Sequence, residues 1–191
     1  MNDLNLTIAA IKNLKQVGSI VPSSQFLVRK IIKRIDFSKQ TNILELGAGS
    51  GVITKGILSQ MSDNSVLYSY ENNTRLIALL EGIDDARLIV KGESVSNLSA
   101  LQDDYFDVVI SSLPLANLKN EFKNSIYKNV RSKLKKSGTF IQYQYLLSDY
   151  KKIERYFRNC HLGFCLFNIP PAFIYKIEMI SDGHTMKDLS S

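Results

Sequence analysis

Two cysteines and two histidines are all that 191 residues offer to a metal centre or a disulfide network. Cys160 and Cys165 are too few for a disulfide framework. They flank His161, but no further Cys or His cluster accompanies them, so no metal site is assigned. Buried, reduced thiols in a cytoplasmic protein are the expectation. No run of about 18 apolar residues occurs, and nothing is expected to span a membrane. The amino-terminal stretch lacks a basic region followed by an apolar core, so no signal peptide is expected either. Neither histidine is placed as a general base, since His161 opens the C-terminal strand pair and His184 sits in the tail. Internal repeats and low-complexity tracts are also missing.

What is present is ordinary for one globular domain: 45% hydrophobic and 22% charged residues, in a chain long enough to bury a core. A formal charge of +6 and a pI near 9.2 favour anionic partners, whether nucleic acid, lipid headgroups or acidic substrates.

Leu4, Ile8, Ile11, Leu14 and Val17 recur at helical spacing over residues 4–17. Val21-Pro22-Ser23-Ser24 interrupts, and its serines can cap a helix over about 24–35. Strands and helices then alternate: strands over 66–71, 87–91, 106–111 and 138–145, helices over 73–80, 118–134 and 147–158. That alternation predicts a parallel sheet with helices on both faces. Strands over 162–168 and 172–179 are joined only by Pro170-Pro171, too short a link for a parallel crossover, so they form an antiparallel hairpin. The expected units are a helical segment over 1–36, a ligand-binding domain over 37–180 and a mobile tail over 181–191.

Residues 43–51, Ile-Leu-Glu-Leu-Gly-Ala-Gly-Ser-Gly, read as a buried strand breaking into a glycine turn, with a helix resuming at Val52. Glycine permits φ > 0 and lets a ligand approach without meeting a Cβ. Val52 stands where a dinucleotide-binding fingerprint needs its third glycine. In such a sheet, ligands lie beyond the carboxyl ends of the strands. Those ends supply Glu45 through Gly51; Glu71, able to accept both ribose hydroxyls; Glu93 and Ser94; the loop Ser111–Asn117; and Tyr145, whose ring face attracts a cation. Pro114 holds its loop extended, exposing carbonyls that can position an amine.

The turn, with Glu45 in it, resembles motif I of the class I S-adenosylmethionine-dependent methyltransferases. That resemblance implies a Rossmann-like fold with a seven-stranded, mostly parallel sheet closed by the antiparallel hairpin. It also implies S-adenosylmethionine as cofactor, held by Glu45, Gly47, Ala48, Gly49, Gly51, Glu71, Glu93, Ser94 and Ser112, with Glu93 accepting from the adenine amino group. Methyl transfer tolerates the lack of a histidine base, because the sulfonium is already activated and positioning supplies much of the effect.

Val17–Ser24, the glycine turn, Ser112–Asn117 and Asn168-Ile-Pro-Pro-Ala172, in that order, resemble the bacterial phospholipid N-methyltransferases. The resemblance implies stepwise methylation of phosphatidylethanolamine or a related aminolipid by a peripheral enzyme on the inner, anionic membrane face. Leu113, Pro114 and Tyr145 would form the catalytic pocket, and Pro22, Ser23, Ser24, Lys12 and Lys15 would meet substrate and membrane. After Tyr145 the chain runs Leu-Leu-Ser, without the glycine and proline associated with that family. The alternatives are an rRNA adenine dimethyltransferase-like enzyme and a non-catalytic S-adenosylmethionine-binding protein. Against the first, Leu115 offers no π face where that family stacks its adenine, so nucleic acid is not the expected partner.

Overall fold

The structure is a computed structural model that describes residues 24–38, 41–157, 159–168 and 170–179. The expected helix over 4–17, with Lys12 and Lys15, the residues Pro22 and Ser23, and the tail over 181–191 lie outside the described residues.

Ser24 starts the first described helix, as its position before an apolar-periodic stretch predicts. Its Oγ accepts from the N–H of Leu27, and α1 runs Gln25–Ile32. Leu27, Val28 and Ile31 form its buried face, while Phe26, Arg29 and Lys30 stay exposed. Alternation follows: β1 (Asn42–Leu46), α2 (Val52–Leu58), β2 (Val66–Tyr70), α3 (Thr74–Glu81), β3 (Leu88–Lys91), β4 (Phe106–Ser111), α4 (Asn120–Lys133), β5 (Leu134–Gln144), α5 (Tyr150–Phe157), β6 (Cys160–Cys165) and β7 (Ala172–Glu178).

These strands make one seven-stranded sheet in the order β3-β2-β1-β4-β5-β7-β6. All neighbours up to β5 run parallel, and β7 is antiparallel to both β5 and β6. The expected hairpin is therefore present, but its first strand is Cys160–Cys165 rather than 162–168 and its link spans residues 166–171; the fold is the Rossmann-like methyltransferase arrangement. Strand order reverses at β1 and β4, which opens a crevice beyond their carboxyl ends.

Two differences from the periodicity have local causes. β5 begins at Leu134 rather than near 138, because its register against β4 shifts between Phe106 and Val108. Gly138 sits in that bulge, where a Cβ would come within 2.8 Å of Leu134 and 2.9 Å of the Lys135 carbonyl. A 3₁₀ turn over Val95–Ala100, too short to show a helical period, follows β3.

Two cores flank the sheet. One gathers Leu27, Val28 and Ile31 of α1 with Ile43, Ile53, Ile57, Ile141 and Ile174; the other gathers Leu44, Val109, Ile126, Tyr127, Phe140 and Tyr175. The described part of the 1–36 segment thus shares its core with the strands. Close approach of α1 to α2 depends on Gly56, where a Cβ would lie 2.6 Å from Val28 and 2.7 Å from Ile32.

Asn168, almost fully buried, fastens α1 to the far end of the chain. Its Oδ1 accepts from the N–H of Ser24 at 2.9 Å, and its Nδ2 donates to the Pro170 carbonyl at 2.7 Å. Replacing Asn168 by alanine strands both partners, and we expect a loss of about 1–3 kcal/mol in urea unfolding. Ser24→Ala should cost about 1 kcal/mol through the lost cap. Midpoints indistinguishable from those of an exposed control substitution would contradict this account of the join.

Candidate functional site

β1 ends and the chain turns back on itself under backbone control. The N–H groups of Gly47 and Ala48 both donate to the Tyr70 carbonyl of β2, at 2.9 and 3.0 Å, and Gly51 closes the turn onto the Ala48 carbonyl at 3.1 Å. Gly47, Gly49 and Gly51 all have positive φ, at 79°, 60° and 79°. Their surroundings separate their roles. A Cβ on Gly47 would lie 2.8 Å from the Ser112 hydroxyl, and one on Gly51 would meet Ile83 and Leu80 at 3.0 and 3.1 Å. At Gly49 a Cβ would meet nothing within 4 Å. A side chain is thus crowded by Ser112 at Gly47 and tightly met by Ile83 and Leu80 at Gly51, whereas Gly49 faces open space at the carboxyl end of the sheet.

Glu71, one residue past β2, holds this turn. Its Oε2 accepts from the Gly49 N–H at 2.9 Å, and its Oε1 accepts from the N–H groups of Asn72 and Asn73, each at 2.9 Å. A carboxylate offers about four lone-pair sites. Three are engaged, so one ribose hydroxyl can be accepted as the group stands, and a second requires displacing a backbone donor.

Glu45 lies within β1 rather than in the turn, and its side chain is buried. Its Oε2 accepts from Thr54 and Ser69 hydroxyls, both at 2.7 Å. Burial pushes its pKa from 4.5 up to about 7; the two hydroxyl donors oppose the shift and the nearby Glu71 carboxylate adds to it. Glu45 thus ties β1 to β2 and α2 beneath the turn.

Past β3, Glu93 accepts from the Asn97 side-chain amide at 2.9 Å, and Ser94 caps the 3₁₀ turn by accepting from the Ser96 N–H. Past β4, the Ser112 N–H donates to the Leu46 carbonyl at 2.9 Å, and its hydroxyl donates closely to the Gly47 carbonyl. Pro114 is exposed and begins a short 3₁₀ turn, Leu115–Asn117. The Leu113 carbonyl is not bare. It accepts from the Leu115 N–H at 2.8 Å and from the buried Gln142 amide at 3.2 Å. Tyr145 stands one residue beyond β5, half-buried, with its ring against Tyr143 and its hydroxyl against Asn168. Burial raises its pKa, partly offset by Asn168, so the phenol keeps its proton at neutral pH.

Glu71, Gly49, Ser112 and Leu113 therefore converge at the carboxyl ends of β1, β2 and β4, and Tyr145 sits at the end of β5. Glu93 and Ser94 end the neighbouring β3. Four contributors escaped the residue patterns: Thr54 and Ser69 beneath Glu45, Gln142 on the Leu113 carbonyl, and the Lys123–Asp149 pair. That pair is buried, with Nζ and Oδ1 2.6 Å apart, and it braces α4 against the loop after β5. Thr54 alone had a readable signal, as the first-turn hydroxyl of the helix that leaves the glycine turn. Cys160, expected to be buried, is only half-buried on the edge strand; burial still pushes its thiol up to about 11.

The Glu45 carboxyl carries a pH signature. Its pKa is higher folded than unfolded, so its contribution is full below about pH 4.5 and is lost as pH rises through about 7. Stability should fall by up to about 3 kcal/mol across that window. Glu45→Gln should remove this slope, as read from urea midpoints of both proteins between about pH 4.5 and 8. Parallel pH profiles would refute the shifted carboxyl.

Comparison with known proteins adds the family. Residues 7–163 match the Methyltransferase small domain family. An ornithine lipid N-methyltransferase from Singulisphaera acidiphila is 28% identical over 166 residues, covering 83% of this chain and 86% of its own. The ribosomal RNA small subunit methyltransferase A of a Sulfurihydrogenibium species is 31% identical over 103 residues, 54% of this chain and 36% of its own. Among solved structures, an S-adenosylmethionine-dependent O-methyltransferase from Thermotoga maritima superposes with a TM-score of 0.67 at 14% identity, covering 94% of this chain and 73% of its own. A precorrin-6y C5,15-methyltransferase from Geobacter metallireducens gives 0.64 at 15% identity, covering 81% and 89%. The glycine turn, the Glu71 clamp and this seven-stranded sheet thus sit in a chain that belongs to the Methyltransferase small domain family, as an S-adenosylmethionine-dependent methyltransferase of the class I superfamily.

Proposed function

We propose that this methyltransferase acts on the headgroup amine of phosphatidylethanolamine or a related aminolipid such as an ornithine lipid. The observation that carries this reading is the Ser24–Asn168 hydrogen bond. It joins the two sequence elements on which the phospholipid N-methyltransferase resemblance most depends, and it does so beside Tyr145. The likeness to an ornithine lipid N-methyltransferase over most of both chains supports the same acceptor class. Residues 1–23, with Lys12, Lys15, Pro22 and Ser23, would add an amphipathic, basic membrane contact on the inner face. No helix among the described residues is long and apolar enough to cross a membrane.

S-adenosylmethionine, when bound, supplies a methyl carbon already activated by its sulfonium. The chain's part is placement. Gly49 leaves room for the cofactor, and Glu71 offers its remaining acceptor site to the ribose. Ser112 fixes the loop of β4 to the glycine turn, so donor and acceptor pockets keep one spacing. Gln142 occupies the Leu113 carbonyl; Leu113 and Pro114 then act as a shaped wall, and the incoming amine attacks as the neutral base after losing its proton to water. The ring face of Tyr145 favours the ammonium that forms.

The match to a ribosomal RNA enzyme gives the second reading an observation of its own. Leu115 weighs against it, because this side chain is fully buried under its loop and presents no surface to a base.

Purified protein with methyl-labelled S-adenosylmethionine and mixed liposomes should label an aminolipid. Label found only in added RNA, or nowhere, would sink the proposal. Gly49→Val and Glu71→Ala should each weaken cofactor binding by about tenfold or more in calorimetry while circular dichroism stays unchanged. Unaltered affinity would remove both residues from the site.

A further inference from the structure

Seven large hydrophobic residues are exposed among the described residues. Leu162 and Phe164 pair with Tyr175 and Phe173 and so lie on the sheet face opposite α1, whereas Phe26 of α1 and Leu166 and Phe167 of the β6–β7 turn lie together at one end. Register places them. Gln144 pairs with Phe173 and Cys165 with Ala172, so the β6–β7 turn projects at the carboxyl end of the parallel strands, where the glycine turn and Tyr145 also lie. The Ser24–Asn168 hydrogen bond brings the start of α1 to the same end. Phe26 and Phe167 touch there, ring centroids 5.4 Å apart, yet remain 54% and 68% exposed, and Leu166 beside them is 61% exposed. Two aromatic rings in contact, both still wet, form an apolar ridge rather than a piece of core.

Charge selects the partner. Residues 24–35 carry Arg29, Lys30, Lys33 and Arg34 and no acidic residue, and residues 160–177 carry no acidic residue either. Arg29 and Lys30 follow Phe26 at helical spacings of three and four, so they share its exposed face. The Lys30 ammonium reaches the Phe164 carbonyl at 2.6 Å, directly at the ridge. Aromatic and aliphatic side chains flanked by cations, with no carboxylate to repel phosphates, match the boundary between headgroups and acyl chains of an anionic bilayer. We infer that the ridge formed by Phe26, Leu166 and Phe167, with the cations of α1, docks on an anionic lipid surface and faces the acceptor end of the sheet toward it. This rests on the aminolipid reading above and names a docking surface separate from residues 1–23.

The test uses the full-length chain, sedimented with vesicles of phosphatidylcholine and phosphatidylglycerol. Leu166→Ser with Phe167→Ser, and separately Arg29→Glu with Lys33→Glu, should each weaken vesicle binding by about tenfold or more. Calorimetric affinity for S-adenosylmethionine should not change. Label transfer to vesicle aminolipid should fall in both variants, while transfer to a short-chain, dispersed aminolipid is kept. Undiminished vesicle binding by both variants overturns the proposal. So does light scattering that shows the parent chain dimeric and the Leu166/Phe167 variant monomeric, since the ridge would then cover a second copy. If vesicle binding depends on the ridge but no lipid is ever methylated, the docking surface stands and the acceptor assignment falls. If lipid is methylated and binding ignores the ridge, the reverse holds.

Discussion

Three backbone N–H groups meeting one carboxylate is the contact on which the glycine turn depends. Glu71 takes one donor from the glycine turn after β1 and two from the residues that lead into α3. Turn and helix are thereby referred to a single charged group at the end of β2. The turn is pinned again by the Tyr70 carbonyl below it and by the Ser112 hydroxyl on its other flank. Charge-assisted hydrogen bonds of this kind are stronger than neutral ones. Three glycines in left-handed geometry can therefore persist without being floppy.

The end of the sheet around Tyr145 is organised mainly by neutral amides, with one buried ion pair behind them. Asn168 joins residues 144 apart in sequence, holding the start of α1, the Pro170 carbonyl and the Tyr145 hydroxyl in one place. Gln142 fixes the Leu113 carbonyl from the neighbouring strand, and Lys123 with Asp149 braces the helix behind it. The two networks meet at Ser112, where the end of β4 is fastened to the glycine turn.

Much of the fold was legible because burial leaves a period. β4 falls on the expected residues, 106–111, and α1 starts where Ser24 said it should. The hairpin was legible from a short link, although β6 ends at Cys165 and the link spans residues 166–171 rather than Pro170-Pro171 alone. The bulge at Gly138 was not legible, since it depends on a register shift against β4 and not on any local pattern. Within the site, glycines and acids at strand ends were readable because only those positions reach the crevice. Which glycine faces open space was not, because Gly47, Gly49 and Gly51 share one backbone conformation and differ only in what lies across from them. Glu45 looked like a residue of the turn; its partners, Thr54 and Ser69, reach it from other elements.

β6 also has a consequence for solubility. Among the described residues it is the outermost strand, paired only with β7, and carries Leu162 and Phe164 exposed on one face. A bare, apolar edge of that sort is a template for sheet extension between molecules. Here the ammonium of Lys30 occupies the Phe164 carbonyl, and the guanidinium of Arg34 lies where a Cβ on Gly163 would sit. Lys30 of α1 thus sits on a carbonyl of β6, and Arg34, just past the helix, covers its face at Gly163. The same helix that lends the protein its positive face keeps its last strand from recruiting a seam with another copy.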